Sequence, residues 1–181
     1  MIAVEVLKIS YQPSSRDYYI ILKEINGDQY IPLIIGALEA QSIALILESV
    51  DTLRPMTHDL ICSLLSGFDL ILNNVCITDV KDGVFLSHLE IETKKFGKQN
   101  IDARPSDAIA IAIRAKASIF VSKRVINKAS IKEKSLAEYK YKEKRADISI
   151  NTLKDRLKNA IEDENYEIAA KIRDKINKLE S

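Results

Sequence analysis

Three short polar clusters contain the side chains of this sequence that could do chemistry. They occupy residues 36–41, 54–59 and 102–107, and each stands at the predicted start of a helix. In the third cluster, two carboxylates, a guanidinium and a hydroxyl meet between a strand and a helix. Carboxylates can hold a divalent cation, a guanidinium can bind a phosphate, and histidine can exchange a proton near neutral pH. The clusters are therefore the candidates for a catalytic or binding site.

Each cluster also has a purely structural interpretation. Thr57 and Asp107 stand where a side chain can satisfy the free N–H groups of a first helical turn. Glu39 is harder to explain in this way, because an acid on a mostly apolar helix needs a partner. Arg104 or Arg54 would serve as that partner. The residue types alone leave a structural ion pair and a functional site equally open.

Alternating and periodic apolar residues predict the elements that position these clusters. Strands are predicted at 2–6, 18–22, 30–35, 70–80, 84–91, 101–103 and 119–121. Helices are predicted at 37–50, 58–66 and 108–115. The first helix is apolar nearly all round, so we expect it to be buried. The pattern predicts an α+β fold in which a mostly antiparallel sheet packs with two or three helices.

The chain is predicted to change character after residue 131. Residues 1–131 contain all of the strands, whereas residues 132–148 are charged, have no apolar period and predict a linker. Two apolar stripes separated by an acidic turn predict a helical hairpin at 149–181. About thirty residues cannot bury a core by themselves. The hairpin must therefore pack on its own domain, on a second copy or on a partner protein.

The overall composition excludes several classes of protein. A chain of 181 residues with 46% hydrophobic and 29% charged residues is typical of a globular protein. It has no long apolar run and no secretion signal, so we expect a cytoplasmic protein without a membrane span. The net charge of +1 is not that of a non-specific DNA-coating protein, so any nucleic-acid contact must be local. Cys62 and Cys76 have apolar neighbours, which predicts buried thiols.

The clusters and their flanking residues resemble the bifunctional nuclease domain family. The resemblance runs in order from about residue 3 to residue 125. Its motifs are Ile31–Gly36, Glu39–Gln41, Arg54–Asp59, Asp82–Gly83 and Asp102–Ala108. Met56 departs from the family pattern, because a branched aliphatic residue is expected there. The family name implies DNase and RNase activity.

If the protein is a nuclease, six residues of the clusters are the candidates for its chemistry. A nuclease needs carboxylates to hold Mg²⁺ or Mn²⁺ and a cation beside the scissile phosphate. The candidate catalytic residues are Glu39, His58, Asp102 and Asp107, and the candidate phosphate-binding residues are Arg54 and Arg104. Within this set, Asp102 and Asp107 are the predicted metal ligands. We expect all six residues to lie close together, because their elements must pack on the same sheet.

The predicted C-terminal hairpin is similar to the UVR motif of bacterial excision-repair proteins, a helical hairpin through which subunits bind one another. The match covers nearly all of residues 151–180. The predicted docking residues are Tyr166, Ala169, Ile172 and Ile176. We expect a protein partner at this hairpin and a homo-oligomeric protein. Two functions therefore stay open: a nuclease acting on DNA or RNA, and a non-enzymatic adaptor or regulatory oligomer that recruits a partner.

Overall fold

The computed structural model of the chain describes residues 1–12 and 16–132, together with six separate positions between 157 and 177. The chain divides into two compact units, residues 1–10 with 18–132 and residues 11–17 with 133–181. The predicted linker and hairpin lie almost entirely outside the described residues. The same is true of the predicted docking residues Tyr166, Ala169, Ile172 and Ile176. The predictions for this part of the chain therefore stay predictions.

An eight-stranded, mostly antiparallel sheet and four helices form the described part of the fold, which confirms the predicted α+β class. The strands are β1 (Ile2–Gln12), β2 (Asp17–Glu24), β3 (Gln29–Ile35), β4 (Ile71–Lys81), β5 (Val84–Thr93), β6 (Gly97–Ala103), β7 (Ser118–Val121) and β8 (Ile131–Lys132). The helices are α1 (Ala37–Leu47), α2 (Thr57–Gly67), α3 (Pro105–Ala115) and α4 (Lys123–Ala129). The strand order is β6-β5-β4-β7-β1-β2-β3-β8, with β4 and β7 parallel.

Helix α3 packs on β4 and β5 and forms the centre of the core. Its residues from Ala108 to Ala112 are at most 2% exposed. Alanines let the helix lie close to the strands, while the isoleucines between them fill the remaining space. Pro105 stands at the first helical position, where its missing N–H costs nothing. The helix predicted at 108–115 is confirmed, and it begins three residues earlier.

The β4–β5 hairpin fixes the register of the strands beside the candidate site. Asp82 and Gly83 have φ angles of 49° and 80°, the left-handed values that a two-residue hairpin turn requires. On β5, Leu89 is buried and faces the core. The antiparallel ladder continues to the edge strand β6, where His88 pairs with Asp102. This ladder therefore places Ile101 of β6 in the row of Leu89 and Asp102 in the row of His88.

Helices α1 and α2 differ from the sequence prediction in their burial and their cap. Helix α1 packs against α3 and buries one face only, so Leu38 is 77% exposed. Helix α2 begins after Met56, and no side chain at that position caps it. Instead, the carboxylate of Asp59 accepts a hydrogen bond from the Met56 backbone N–H at 2.8 Å. Thr57 is therefore the first helical residue and not the cap that its type suggested.

The sequence prediction lacks helix α4 and strand β8. Ser122 begins α4, because its Oγ accepts a hydrogen bond from the Val125 backbone N–H at 3.2 Å. Val125 is the one buried residue of this seven-residue helix, which leaves no apolar period to detect. None of the helices in the described residues is long and apolar enough to cross a membrane.

Candidate active site

A cavity of about 690 Å³ opens where helices α1, α2 and α3 begin. Its apolar lining includes Ile61, Leu65, Leu89, Ile91, Ile101 and Ile111. Its polar lining includes Glu39, His58, Asp102, Arg104 and Asp107. The cavity lining therefore includes five of the six predicted site residues, drawn from all three polar clusters.

Arg104 stands at this cavity with 67% of its side chain exposed. Its Nε and Nη2 donate to the two carboxylate oxygens of Asp107 at 2.8 and 3.1 Å. Its Nη1 lies 3.0 Å from Oε1 of Glu39. A guanidinium has five N–H groups, and these three contacts leave two of them for a ligand. The prediction that Glu39 has an arginine partner is confirmed, and the partner is Arg104.

His58 is buried and connects Asp107 to the interior. Its Nδ1 lies 2.9 Å from Oγ of Ser42, and its Nε2 lies 3.2 Å from Oδ1 of Asp107. Because Ser42 Oγ accepts a hydrogen bond from Arg114 at 3.2 Å, its own hydrogen can go to Nδ1. The neutral imidazole then carries its hydrogen on Nε2 and donates it to Asp107. Both ring nitrogens are thus engaged within the protein.

Arg114 continues this series of contacts inside the protein, with 7% of its side chain exposed. Its Nε donates to Oδ1 of Asp59 at 2.5 Å, and its Nη1 and Nη2 donate to the carbonyls of Ala110 and Ser42. Sequence reasoning missed Ser42 and Arg114. The available signal was that each is a polar residue among apolar neighbours on a helix that packs in the core. The connected series runs through Asp59, Arg114, Ser42, His58, Asp107, Arg104 and Glu39.

Asp102 lines the cavity from the edge strand, but it belongs to another row of the sheet. It pairs with His88, whereas its neighbour Ile101 pairs with the buried Leu89. Successive side chains of a strand point to opposite faces. Helix α3 packs on the Leu89 face, so the Asp102 side chain is placed on the face of His88, away from Asp107.

Arg54 is the one predicted site residue that the structure does not bring to the cavity. It is exposed in the segment before α2, and its backbone carbonyl accepts a hydrogen bond from Thr52. Within the described residues, its guanidinium has no hydrogen-bond or ion-pair partner. Arg54 therefore stands outside the cavity lining, whereas the other five predicted residues belong to it.

The first turns of the three helices share one pattern. Glu39, Asp59 and Asp107 each occupy the third helical position of α1, α2 and α3. An acid there complements the positive end of the helix dipole. Two of these acids, Glu39 and Asp107, share Arg104, whereas Asp59 binds Arg114. The structural role that the sequence left open is thus real, and it accompanies an exposed guanidinium at the cavity.

A family model of the bifunctional nuclease domain matches residues 20–134. The matched span contains the cavity and all six predicted site residues. The chain belongs to the bifunctional nuclease domain family. The resemblance first seen in the motifs is thereby confirmed. A second match, to the UvrB/uvrC motif, covers residues 147–181 and confirms the predicted C-terminal motif.

Two proteins of Mycobacterium tuberculosis are similar to this bifunctional nuclease domain protein. They are named "Uncharacterized protein MT1877" (strain CDC 1551 / Oshkosh) and "Uncharacterized protein Rv1829" (strain ATCC 25618 / H37Rv). Each is 36% identical over 128 residues, which is 71% of this chain and 76% of the relative. Their names assign no activity, so the chemistry must be argued from the cavity itself.

Two opposing effects set the pKa of Asp107 in the bifunctional nuclease domain. Burial raises this pKa, but the hydrogen bonds from Arg104 and His58 together outweigh it, so the pKa lies below the ordinary 3.8. The hydrogen bond and charge of Asp107, with the charge of Glu39, raise the pKa of Arg104 above its ordinary value. Asp107 and Arg104 are therefore both charged near neutral pH, which keeps the guanidinium in place.

The carboxylates of the cavity do not fit a metal ion as they are arranged. Both oxygens of Asp107 accept hydrogen bonds from Arg104, and one is also bound by His58. Asp102 lies on the other row of the sheet. Within the part of the chain that the structure describes, no three His, Cys, Asp or Glu side chains are placed to share a metal. The role of Asp102 and Asp107 as Mg²⁺ or Mn²⁺ ligands stays a prediction.

Proposed function

We propose that this protein is a nuclease that hydrolyses phosphodiester bonds of DNA or RNA in the cavity where α1, α2 and α3 begin. The observation that carries the proposal is the arrangement of the Arg104 guanidinium at the cavity. Its guanidinium is held by Glu39 and Asp107 at an open cavity and keeps two N–H groups for a ligand. An oriented guanidinium with free donors is suited to bind a phosphate. The family match to a bifunctional nuclease domain supports the same assignment.

Glu39 is the carboxylate best placed to act as a base beside that phosphate. Its Oε1 pairs with Arg104, and no hydrogen bond to its Oε2 occurs within the described residues. In the proposed reaction, a water gives a proton to Oε2 while its oxygen forms a bond to phosphorus. The bond from phosphorus to the leaving sugar oxygen breaks, and that oxygen takes a proton from solvent. Arg104 stabilises the charge that develops on the phosphate oxygens.

His58 and Asp107 act in this proposal as positioning residues. Asp107 accepts two hydrogen bonds from Arg104 and so fixes the plane of the guanidinium. His58 holds Asp107 from the buried side through Nε2. The proposal therefore moves the main catalytic roles to Glu39 and Arg104. It uses no metal in these steps, and Mg²⁺ or Mn²⁺ enters as a variable of the test.

The proposal is tested by cleavage assays on the full chain with single- and double-stranded DNA and RNA, each with Mg²⁺, Mn²⁺ or EDTA. We expect Glu39→Gln to lower the cleavage rate by about 100-fold, because loss of a general base has that typical cost. Glu48→Gln is the matched control, because Glu48 is an exposed glutamate at the end of the same helix. Wild-type protein that cleaves none of these substrates under any condition would overturn the proposal, as would equal rates for the two variants.

A second function is favoured by the buried part of the series. Asp59, Arg114 and Ser42 satisfy one another, as expected of a structural network in an adaptor or regulatory oligomer. Such a protein would recruit a partner, or a second copy, through the UvrB/uvrC motif at 147–181. Tyr166, Ala169, Ile172 and Ile176 would then form the docking surface. In that case Glu39→Gln has no activity to remove and lowers stability by about 1 kcal/mol at most.

A further inference from the structure

We propose that the apolar part of the cavity takes one unpaired nucleobase, so that the substrate class is single-stranded nucleic acid. This inference rests on the proposed nuclease function and specifies its substrate. It combines three observations: the volume and apolar lining of the cavity, the balance of charge beside Arg104, and the small number of cations that line the cavity.

The lining of the cavity is mixed in a way that suits a nucleotide. Leu89, Ile91 and Ile111 form an apolar wall, and the exposed Leu38 and Ile101 also line the cavity. The volume of about 690 Å³ lies within the range of about 300–1,000 Å³ that small-molecule sites occupy. Enzymes that take a base out of the stack hold it between aromatic or other apolar side chains. A base in this space would lie beside a phosphate bound to Arg104.

The charges favour a neutral group over a second phosphate in the apolar part. Glu39 and Asp107 place two negative charges against the single positive charge of Arg104. An additional anionic group would meet this excess of negative charge at close range. A nucleobase is neutral, and its polar edge can bond to the exposed side chains of Gln41 and Thr57, which also line the cavity.

The cavity offers little of the charge that duplex binding needs. Arg104 is the one Lys or Arg among the lining residues in the described part of the chain. Binding of double-stranded nucleic acid depends on many phosphate contacts. A duplex also keeps its bases stacked, so they cannot enter the cavity. Binding here must therefore draw on burial of a base, which a single strand can supply. With one phosphate contact, we expect log K against log salt concentration to have a slope of about −0.7.

The inference is tested by fluorescence anisotropy of the full chain with three fluorescein-labelled DNA probes of ten nucleotides, all built with phosphorothioate linkages so that they resist cleavage. The probes are a single strand, the same strand as a duplex, and a strand of identical backbone that lacks every base. We expect the first to bind at least about tenfold more tightly than the other two. Equal binding by the base-free strand, or tighter binding by the duplex, would overturn the inference, as would binding to none of the probes.

Two double variants test whether the single-stranded probe binds in the cavity. Leu38→Ser with Ile101→Ser removes exposed apolar side chains that line it, and we expect about tenfold weaker binding of the single strand. Leu53→Ser with Leu60→Ser is the matched control, because both leucines are exposed and neither lines the cavity. Equal effects of the two double variants would contradict the placement of the base.

The two proposals can fail separately. Cleavage of duplexes at the same rate as single strands would leave the nuclease function in place and remove the base site. Base-dependent binding that the Leu38 and Ile101 variant weakens, without cleavage of any substrate, would leave the base site and remove the nuclease function.

Discussion

Two arginines belong to the same series of polar contacts, and their surroundings differ sharply. Arg114 is 7% exposed and donates to Asp59, to Ser42 and to a backbone carbonyl. Arg104 is 67% exposed, pairs with Glu39 and Asp107, and keeps two N–H groups unused by these contacts. Both bind an acid in the first turn of a helix. The sequence environment is therefore similar, whereas the capacity to bind a ligand is not.

The comparison separates stability from function within one polar network. A buried arginine whose donors are satisfied stabilises the packing of three helices, and its loss removes a charged donor from Asp59 and from Ser42. An exposed arginine held by two carboxylates contributes little to stability, because solvent screens its ion pairs. Its value lies in a fixed orientation toward the cavity. Substitutions at the two positions should consequently affect different measurements.

The largest effect on stability is expected at Arg114. Replacement by Met keeps much of the side-chain volume but removes the ion pair of Asp59 and the hydrogen bond to Ser42 Oγ. We expect Arg114→Met to lower the free energy of unfolding by about 3 kcal/mol, measured by urea denaturation. Arg124→Met is the control, because Arg124 is 78% exposed and lies 3.9 Å from its acidic partner. A loss below about 1 kcal/mol at Arg114 would contradict its structural role.

The sequence predicted the local elements of this fold well where one signal dominated. Pro105 is typical of a first helical position and indicates the start of α3. Asp82 followed by Gly83 is typical of a tight hairpin turn and indicates the turn between β4 and β5. Helix α4 was missed because it buries a single residue and has no apolar stripe. The apolar character of α1 predicted a buried helix, but Leu38 is exposed at the cavity rather than buried in the core. Composition cannot tell a core position from a binding surface.

The sequence predicted the candidate site in part, through clusters at helix starts. Glu39, His58, Arg104 and Asp107 meet because three helices begin at one cavity. The clusters at helix starts do not include Arg114, because it lies in the last turn of α3, far along the chain from its partner Asp59. The row to which Asp102 belongs depended on strand register, which only the assembled sheet defines.

A smaller loss of folding stability is expected when the pH is lowered. Hydrogen bonding to Arg114 lowers the pKa of Asp59, and Asp107 also has a lowered pKa because the hydrogen bonds from Arg104 and His58 outweigh its burial. A lowered folded-state pKa gives stability that is present above the ordinary value of 3.8 and is lost as pH falls through the folded pKa. We therefore expect the urea midpoint to fall on acidification below this value.

Two aspartate variants show how much of the loss of stability in acid comes from Asp59. Asp59→Asn should have a smaller fall in urea midpoint than wild type over the same acidic range, because its titrating group is gone. Asp28→Asn, at an exposed turn position, should follow the wild-type curve. An unchanged pH dependence in Asp59→Asn would show that the Arg114 contact does not control acid stability.

The most direct test of the central claim is the cleavage rate of Arg104→Gln, measured beside its free energy of unfolding and beside the Arg124→Gln control. We expect the rate to fall by about 100-fold or more, because a group that stabilises the charged phosphate is lost. We expect the free energy of unfolding to stay within about 1 kcal/mol of wild type, because the ion pairs of Arg104 are exposed. An Arg104→Gln protein that cleaves as fast as Arg124→Gln would contradict the assignment of this cavity as the active site.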